Sequence, residues 1–358
     1  MFRTIAEGDV FSTREKVTCS GSRTAVLPDG RLICVFSSES GSGVNDFVPM
    51  ASYSDDGVHW SEAKPIWPGL TASKSMTAVV RPTQDGRVSL CGIGFEIDRP
   101  GENWWIDELA AFKKNWLIWS VSEDGYHFPE PQWLDPVFPC GAENPGGMLV
   151  EEDGSMTLVY SPYPLADDPK AADTNCLVLM RSSDGGRTFS AEKISKVEGP
   201  SEYAEAWIDR LSDGTLMISV WQTASRETSD QYLLSFDGGK SFSGPFAQPF
   251  SGQSTALTAW KEGTALIVYN QRKEQPAGVR LARARPDKDG YHLLEDQLIW
   301  EAQSTTRNAS SGDFSQWTDF SFGEPHVTVL PDGKLLATLW YEQGDVKGIR
   351  YLLLEHVD

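Results

Sequence analysis

The chain has 358 residues, of which 40% are apolar, and its 13 Trp and 16 Phe supply material for a large hydrophobic core. Its net charge of −20 is repelled by phosphates and anionic lipid head groups, which excludes nucleic acid and membrane surfaces as partners. No apolar window approaches the roughly 18 residues of a membrane span, and the N-terminal residues lack a signal-peptide core. We therefore expect a soluble, cytoplasmic protein.

Six copies of one short pattern recur along the chain, each with an acidic residue and Gly between two apolar runs. The acid-Gly pair permits the positive φ of a tight turn, and the flanking runs are typical of strands, so each copy predicts a β-hairpin. The turn acids, 49 to 70 residues apart, are Asp29, Asp85, Asp153, Asp213, Glu262 and Asp332. Six units of this size predict an all-β fold, a six-bladed β-propeller with four strands in each blade.

A second pattern follows four of these turns, with its own acidic residue and Gly ahead of an aromatic residue. In this pattern the Asp accepts hydrogen bonds from turn backbone groups and the aromatic residue packs between strands, so we interpret it as structural. The copies are Ser182 to Phe189, Ser235 to Phe242, Tyr53 to Trp60 and Val121 to Phe128, with a degenerate form at 289–293. The pattern resembles the Asp box of sialidase-type propellers.

Ring closure requires a strand from the N-terminus, because the last blade shows only three strands within residues 323–357. A fourth strand from residues 2–11 would remove the exposed edges of an open ring. No linker or charge block marks a second domain, so residues 1–358 are predicted to form one domain. The irregular stretch 95–119 is an insertion in blade two.

The innermost strand of each propeller blade lines the central channel, so residues at one offset on these strands can be compared. Glu205 and Glu324 are notable there, because a carboxylate buried on a strand is costly unless it is paired or used. Eight positions before the turn acids the residues are Gly21, Thr77, Pro145, Glu205, Ser254 and Glu324.

Blade six resembles the closing blade of sialidases, and the alignment on its Asp-Gly turn puts Glu324 where that family has its nucleophilic tyrosine. Blade four is similar to the blade that carries the glutamate partner of that tyrosine, which implies this role for Glu205. The segment after residue 21 resembles the sialidase segment that carries the first of the arginines that bind the substrate carboxylate. This resemblance implies the same role for Arg23. Asp46 matches the position of the acid/base aspartate in the family.

The chain also departs from the sialidase pattern, since Trp221 stands near the place of the second of three carboxylate-binding arginines. Arg272 and Arg307 are the candidate substitutes. Sialidases use a neutral tyrosine because a carboxylate nucleophile would be repelled by the negative charge attached to the anomeric carbon. With Glu324 at that position, we predict a glycosidase whose sugar lacks this carboxylate and which works by paired carboxylates, with Glu324, Glu205 and Asp46 as catalytic candidates.

Four further residues are candidates for substrate binding at the same mouth of the channel. Glu143 in blade three is a fourth carboxylate near the level of Glu205. Trp207 and Trp221 suit stacking on a sugar, although tryptophan is also common in propeller cores. His326 follows Glu324 by two residues, so alternation points it to the same face of the strand.

Three other functions stay open: a true exo-sialidase with a rebuilt arginine clamp, a non-catalytic carbohydrate-binding propeller, and a uronate lyase. The lyase would need a base such as His326 or Tyr341 and a cation such as Arg272 at the substrate carboxylate. We expect a small carbohydrate substrate, acted on from one end, and no cofactor or metal. Five scattered cysteines without a CxxC pair indicate buried free thiols. The sugar, the stereochemical outcome and the oligomeric state stay open.

Overall fold

Each acid-Gly turn joins the first two strands of one blade, as the sequence predicts. The computed structural model describes the chain except residues 16, 145, 196–202, 224–228, 288, 307–318 and 358. The turn glycines all have positive φ, for example 88° at Gly30 and 86° at Gly333. In the five Asp-Gly turns the acid accepts a backbone hydrogen bond from the residue after the glycine, as in the 3.0 Å bond from the Arg31 N–H to Asp29, whereas in blade five the Thr264 N–H donates to the Lys261 carbonyl. A turn with a left-handed glycine therefore joins the first two strands of every blade.

The strands form a six-bladed propeller of antiparallel sheets. After β1 (Phe2–Thr13), blade one comprises β2 (Thr18–Val26), β3 (Leu32–Glu39), β4 (Val48–Ser54) and β5 (Lys64–Pro65). Blade two comprises β6 (Lys74–Pro82), β7 (Val88–Glu96), an inserted hairpin of β8 (Trp105–Ile106) and β9 (Ala111–Phe112), then β10 (Asn115–Ser122) and β11 (Gln132–Leu134). Blade three comprises β12 (Gly141–Glu143) and β13 (Met148–Val150), which both pair with β14 (Met156–Tyr163), then β15 (Leu177–Ser182) and β16 (Ser190–Ile194).

The other three blades complete the ring. Blade four comprises β17 (Tyr203–Arg210), β18 (Leu216–Gln222), β19 (Gln231–Ser235) and β20 (Ser243–Ala247). Blade five comprises β21 (Thr255–Ala259), β22 (Ala265–Gln271), β23 (Gly278–Asp287) and β24 (Gly290–Glu301). Blade six comprises β25 (Phe322–Val329), β26 (Leu335–Gln343), β27 (Val346–His356) and β1. Short 3-10 turns lie at Asp107–Leu109 and Lys261–Gly263.

The N-terminal strand closes the ring, as predicted. β1 pairs antiparallel with β27 from Phe2 opposite His356 to Thr13 opposite Lys347. The outer strand of the last blade thus comes from the start of the chain, and the ring is fastened by backbone hydrogen bonds between the two ends.

The Asp-box turns are structural, as the sequence analysis infers. In blade three the Asp184 carboxylate accepts hydrogen bonds from the Ser182 and Thr188 hydroxyls and from the backbone N–H groups of Arg187 and Thr188. Gly186 of the same turn lies against Trp119 of blade two, so this Asp box also packs blade three against blade two. These contacts occupy the motif residues, which therefore contribute to the scaffold.

The hydrophobic core lies between the blades, where apolar faces of neighbouring sheets pack together. One cluster joins blades four, five and six around Trp207, Leu257 and Leu339, and another joins blades six and one around Phe36 and Trp340. All five cysteines are buried free thiols, in agreement with the prediction. No helix in the described part of the chain is long and apolar enough to cross a membrane.

Candidate active site

Irregular backbone interrupts the inner strands at one equivalent position. The register of β2, β17 and β25 shifts around Gly21, Glu205 and Glu324, which indicates a β-bulge in each. These three residues have φ of 64°, 55° and 42°, and Ser254 just before β21 has φ of 73°. A left-handed conformation is uncommon for residues other than glycine and concentrates at functional sites.

The four left-handed residues lie at the same mouth of the central channel. Each stands at or near the start of the innermost strand of its blade, and these strands run in the same direction around the ring. Glu143 ends β12, the segment of blade three that precedes the rest of its inner strand. Three glutamates therefore converge on one mouth: Glu143, Glu205 and Glu324.

Backbone N–H groups hold two of these carboxylates across blade boundaries. The Gly21 N–H donates to Oε2 of Glu324 at 2.7 Å. The Glu205 N–H donates to Oε2 of Glu143 at 2.8 Å. Glu324 and Glu143 thus each have a fixed backbone donor from the neighbouring blade.

Burial and mutual repulsion change the protonation of the cluster. Burial, together with the charge of Glu324, raises the pKa of Glu143 to about 7, while the Glu205 N–H opposes this shift. Burial, followed by the charges of Glu324 and Glu143, raises the pKa of Glu205 well above its usual range. Neighbouring carboxylates whose environments separate their protonation are the arrangement that acid/base chemistry needs.

The arginine at position 23 braces the bulge of blade six. It is only 1% exposed, and its Nη1 donates to the carbonyl oxygens of Ser22 and Glu324, both at 2.8 Å. Its guanidinium lies 4.7 Å from the centre of the Trp207 ring. Burial lowers the pKa of Arg23, and the charges of Glu324 and Glu205 oppose that shift. The side chain thus holds the backbone that presents Glu324.

Arg272 of blade five supports the same bulge from the other side of the blade boundary. Its Nη1 donates to the Gln253 carbonyl at 3.0 Å, and its Nη2 donates to the Phe322 carbonyl. The guanidinium lies over the Phe320 ring, 3.9 Å from its centre, and only 3% of the residue is exposed. Burial lowers the pKa of Arg272 to about 9, against the charges of Glu205 and Glu324. Arg307, the other predicted substitute, lies outside the described residues.

The two predicted tryptophans differ in their access to solvent. Trp207 is 2% exposed and stacks on His326 with ring centres 5.5 Å apart, so its ring belongs to the packed channel wall. Burial, with the charges of Arg23 and Arg81, lowers the pKa of His326 well below its usual range and keeps the imidazole neutral. Trp221 is partly exposed near the end of β18, opposite Ala204, and is the tryptophan of the pair with ring surface available at the mouth.

Asp46 lies on a loop at the same end of the propeller as the three glutamates. Its loop joins β3 to β4, and Thr18 pairs with Glu39 at the end of β3, which puts the loop at the mouth. Oδ1 of Asp46 accepts a 3.0 Å hydrogen bond from the Ser40 N–H.

Sequence reasoning missed the donors that hold the carboxylates. Gly21 and Ser254 stand at the same offset as the two glutamates, and the sequence analysis passed over them as small or neutral. Their shared offset was the available signal. Gly21 acts through a backbone N–H that donates to a carboxylate of another blade, and Ser254 shares its left-handed backbone, which no local pattern reports.

Solved structures with the same architecture are similar to this chain at low identity. A protein of unknown function from Dyadobacter fermentans is 17% identical, with a TM-score of 0.79, and 99% of each chain is covered. A Hadza microbial sialidase is 14% identical, with a TM-score of 0.64 over 94% of this chain and 65% of that one. An intramolecular trans-sialidase from Ruminococcus gnavus is 12% identical, with a TM-score of 0.62 over 97% and 96% of the two chains.

These likenesses show the fold, a sialidase-like six-bladed propeller, and the fold is shared with glycosidases. No family model and no curated protein sequence matches the chain.

Proposed function

We propose that this protein is an exo-acting glycoside hydrolase for small glycosides whose reacting sugar carbon carries no carboxylate. The observation that supports the proposal is the convergence of Glu143, Glu205 and Glu324 at one mouth of the channel, with pKa values of the first two raised by burial and mutual repulsion. A non-catalytic binding surface does not need such a costly cluster of acids.

The proposed chemistry divides the work between two carboxyl groups. Glu205, whose raised pKa favours its protonated form, donates its proton to the glycosidic oxygen as the bond between that oxygen and the anomeric carbon breaks. Glu324, held by the Gly21 N–H, either attacks the anomeric carbon or removes a proton from the attacking water. In both routes one water is consumed, and the sugar and the alcohol are released. Asp46, on the rim, is the alternative acid if a substrate draws its loop inward.

The hydrogen bonds of Arg23 and Arg272 favour a substrate that has no carboxylate. A sialic acid clamp needs guanidinium groups that are free to pair with the carboxylate in a two-bond fork. Arg23 and Arg272 are buried, and both already donate to backbone carbonyl oxygens, Arg23 through Nη1 and Arg272 through Nη1 and Nη2. A substrate carboxylate at this mouth would also add negative charge to a cluster of acids that already repel one another. A neutral sugar meets neither difficulty, and Trp221 can offer it a ring face.

The experiment measures phenol release from a panel of aryl glycosides that includes a sialoside. The wild type is compared with Glu205→Gln and Glu324→Gln, and Glu301→Gln, an exposed glutamate at the end of β24, is the matched control. We expect hydrolysis of a neutral glycoside that falls by about 10²- to 10⁴-fold in the two site variants and stays unchanged in the control. Preference for the sialoside would contradict the inference from the arginines. No hydrolysis of any glycoside, or elimination from a uronate, would contradict the proposed reaction.

A further inference from the structure

The inserted hairpin of blade two, β8 and β9, stands at the same mouth as the glutamate cluster. The chain leaves the blade at the end of β7 and re-enters it at Asn115, the first residue of β10. The end of β7 lies opposite the start of the inner strand, since Glu96 pairs with Lys74. The inner strands start at the mouth, where Glu205 and Glu324 lie. The hairpin is therefore an addition to the rim of the mouth.

Blade one holds one side of the insertion. Asn103 forms an antiparallel bridge with Val44, and the Asn45 N–H donates to the Glu102 carbonyl at 2.7 Å. Asn45 is only 1% exposed, and its side chain donates to the Glu102 carboxylate at 2.8 Å. The Lys113 ammonium donates to the same carboxylate. These charge-assisted hydrogen bonds fix the insertion against blade one.

Blade three holds the other side, next to the strand that carries Glu143. The Phe112 N–H donates to the Pro164 carbonyl, and the Ala166 N–H donates to the Phe112 carbonyl, both at 2.8 Å. A Cβ on Gly141 would lie 2.8 Å from the Phe112 ring, so the two chains are in close contact there. Gly141 precedes Glu143 by two residues on β12, which is about 7 Å along a strand. The hairpin thus lies one step outward from the glutamate cluster.

Three side chains, Trp105, Phe112 and Tyr163, form an aromatic platform on this part of the rim. Phe112 stacks on Tyr163, with ring centres 4.7 Å apart. Trp105 packs edge-on against both rings, with distances of 5.3 and 6.1 Å between ring centres. Phe112 is buried, whereas Trp105 and Tyr163 are partly exposed, and Leu109 at the tip of the hairpin is 46% exposed. Buried packing therefore supports an apolar surface that a ligand can reach.

We propose that the aromatic platform is the subsite for the leaving group of the substrate, and that this group is an uncharged aryl group or a sugar with an apolar face. The inference rests on the proposed function and deepens it. The reacting sugar must lie against the carboxylates in the channel, so the alcohol on the glycosidic oxygen extends toward the rim. A fixed aromatic surface near Glu143 binds that alcohol without the cost of ordering a loop, and aromatic faces suit apolar rings.

The charges around the platform select against an anionic leaving group. Asp107 and Glu108 are exposed at the tip of the hairpin, and the chain as a whole carries a net charge of −20. The Lys113 ammonium of the insertion is already paired with Asp98 and Glu102. An uncharged apolar ring avoids this repulsion. Trp221 belongs to blade four and stays available for the reacting sugar.

The experiment measures binding and turnover separately. Binding is followed by NMR of the indole N–H groups of ¹⁵N-labelled protein titrated with phenol, and Trp105→Ala identifies the Trp105 signal. Turnover is measured on the phenyl and the methyl glycoside of the sugar that is hydrolysed best. Trp105→Phe keeps a ring in the platform. Trp116→Ala is the matched control, since Trp116 is also partly exposed but packs against Trp133 of the outer strand of blade two.

We expect phenol to shift the Trp105 signal in a saturable way and to leave the Trp116 signal in place. In Trp105→Ala the KM of the phenyl glycoside should rise about tenfold, which corresponds to the loss of one aromatic contact. The KM of the methyl glycoside should stay unchanged, because a methyl group does not reach the platform. Trp105→Phe should lie between the wild type and the alanine variant, and Trp116→Ala should change neither KM.

The phenol titration does not require hydrolysis, so the two proposals can fail separately. The absence of a saturable shift of the Trp105 signal overturns the inference, whatever the activity of the enzyme. An equal rise in KM for both glycosides in Trp105→Ala also overturns it, because the loss would then come from the sugar site or from a disturbed fold. Phenol binding at Trp105 in a protein that hydrolyses no glycoside overturns the proposed function and, with it, the platform's role as a leaving-group subsite.

Discussion

The backbone N–H of Gly21 in blade one lies 2.7 Å from Oε2 of Glu324 in blade six, so the first and last hairpins of the chain meet at one carboxylate. Three hundred and three residues separate the two along the sequence. Closure of the ring by β1 brings these blades side by side, and the hydrogen bond then fixes where the carboxylate points.

This anchor predicts that shortening the side chain harms catalysis more than stability. In Glu324→Asp the carboxylate retreats by one methylene from the Gly21 N–H. Because a misplacement of about 1 Å can cost about 100-fold in rate, we expect kcat to fall by about that factor while the free energy of unfolding changes little. Steady-state kinetics and urea denaturation measure the two quantities, with Glu301→Asp as the control. A large loss of stability with unchanged kcat would contradict the assigned role.

The pKa of Glu143 predicts how stability depends on pH. A carboxyl group whose pKa is raised from 4.5 in the unfolded chain to about 7 in the folded chain binds more protons when folded. The contribution of Glu143 to the free energy of unfolding is therefore fully present below pH 4.5, and it is lost as the pH rises toward 7. We expect Glu143→Gln to gain stability relative to the wild type across this interval, by an amount on the order of 2 kcal/mol.

Urea denaturation at pH 4.5, 5.5, 6.5 and 7.5 gives this difference. Other acids contribute equally to the wild type and the variant, so their contributions cancel in the difference. One such acid is Glu295, whose pKa is lowered to about 2 mainly by its hydrogen bond with His356, against the effect of burial, and which affects stability at lower pH. A difference that stays constant over the whole range would show that Glu143 does not carry the raised pKa.

Arg272 is predicted to stabilise the fold through its two carbonyl acceptors. Lysine in its place keeps a positive charge but cannot donate to the Gln253 and Phe322 carbonyls with the planar geometry of a guanidinium. We expect Arg272→Lys to lower the free energy of unfolding by about 2 kcal/mol, because a buried carbonyl loses its donor. Arg285→Lys on the exposed face of β23 is the control and should be neutral. Equal stability of both variants would contradict the bracing role.

Two adjacent glycines of one Asp box separate backbone strain from packing. Gly185 and Gly186 have φ of 72° and 82°, so alanine at either position is strained, by roughly 1 kcal/mol. A Cβ on Gly185 would meet nothing within 4 Å, whereas one on Gly186 would lie 2.5 Å from the Trp119 ring. We expect Gly186→Ala to destabilise the protein by about 1 to 3 kcal/mol more than Gly185→Ala. Equal losses in urea denaturation would mean that Trp119 moves aside freely.

The repeating parts of this molecule were predictable because their causes are local. An acid followed by Gly makes its own turn, as at Asp29, and the Asp box makes its own hydrogen bonds, as at Asp184. Counting these units predicts six blades, and the missing strand of the last blade predicts the pairing of β1 with β27. The offset of Glu205 and Glu324 from their turns was likewise readable, since equal spacing puts residues at equal depth on equivalent strands.

The sequence by itself thus determined the propeller and its closure, and it also indicated all three of the clustered glutamates, Glu143 included. Only the tertiary structure decided that the backbone N–H groups of Gly21 and Glu205 hold carboxylates of the neighbouring blades, and that Arg23 and Arg272 bind backbone carbonyls instead of standing free. The physical reason is that these contacts cross blade boundaries. Their partners are set by how neighbouring sheets pack around the channel, and burial and repulsion act on the carboxylates only after the ring has closed.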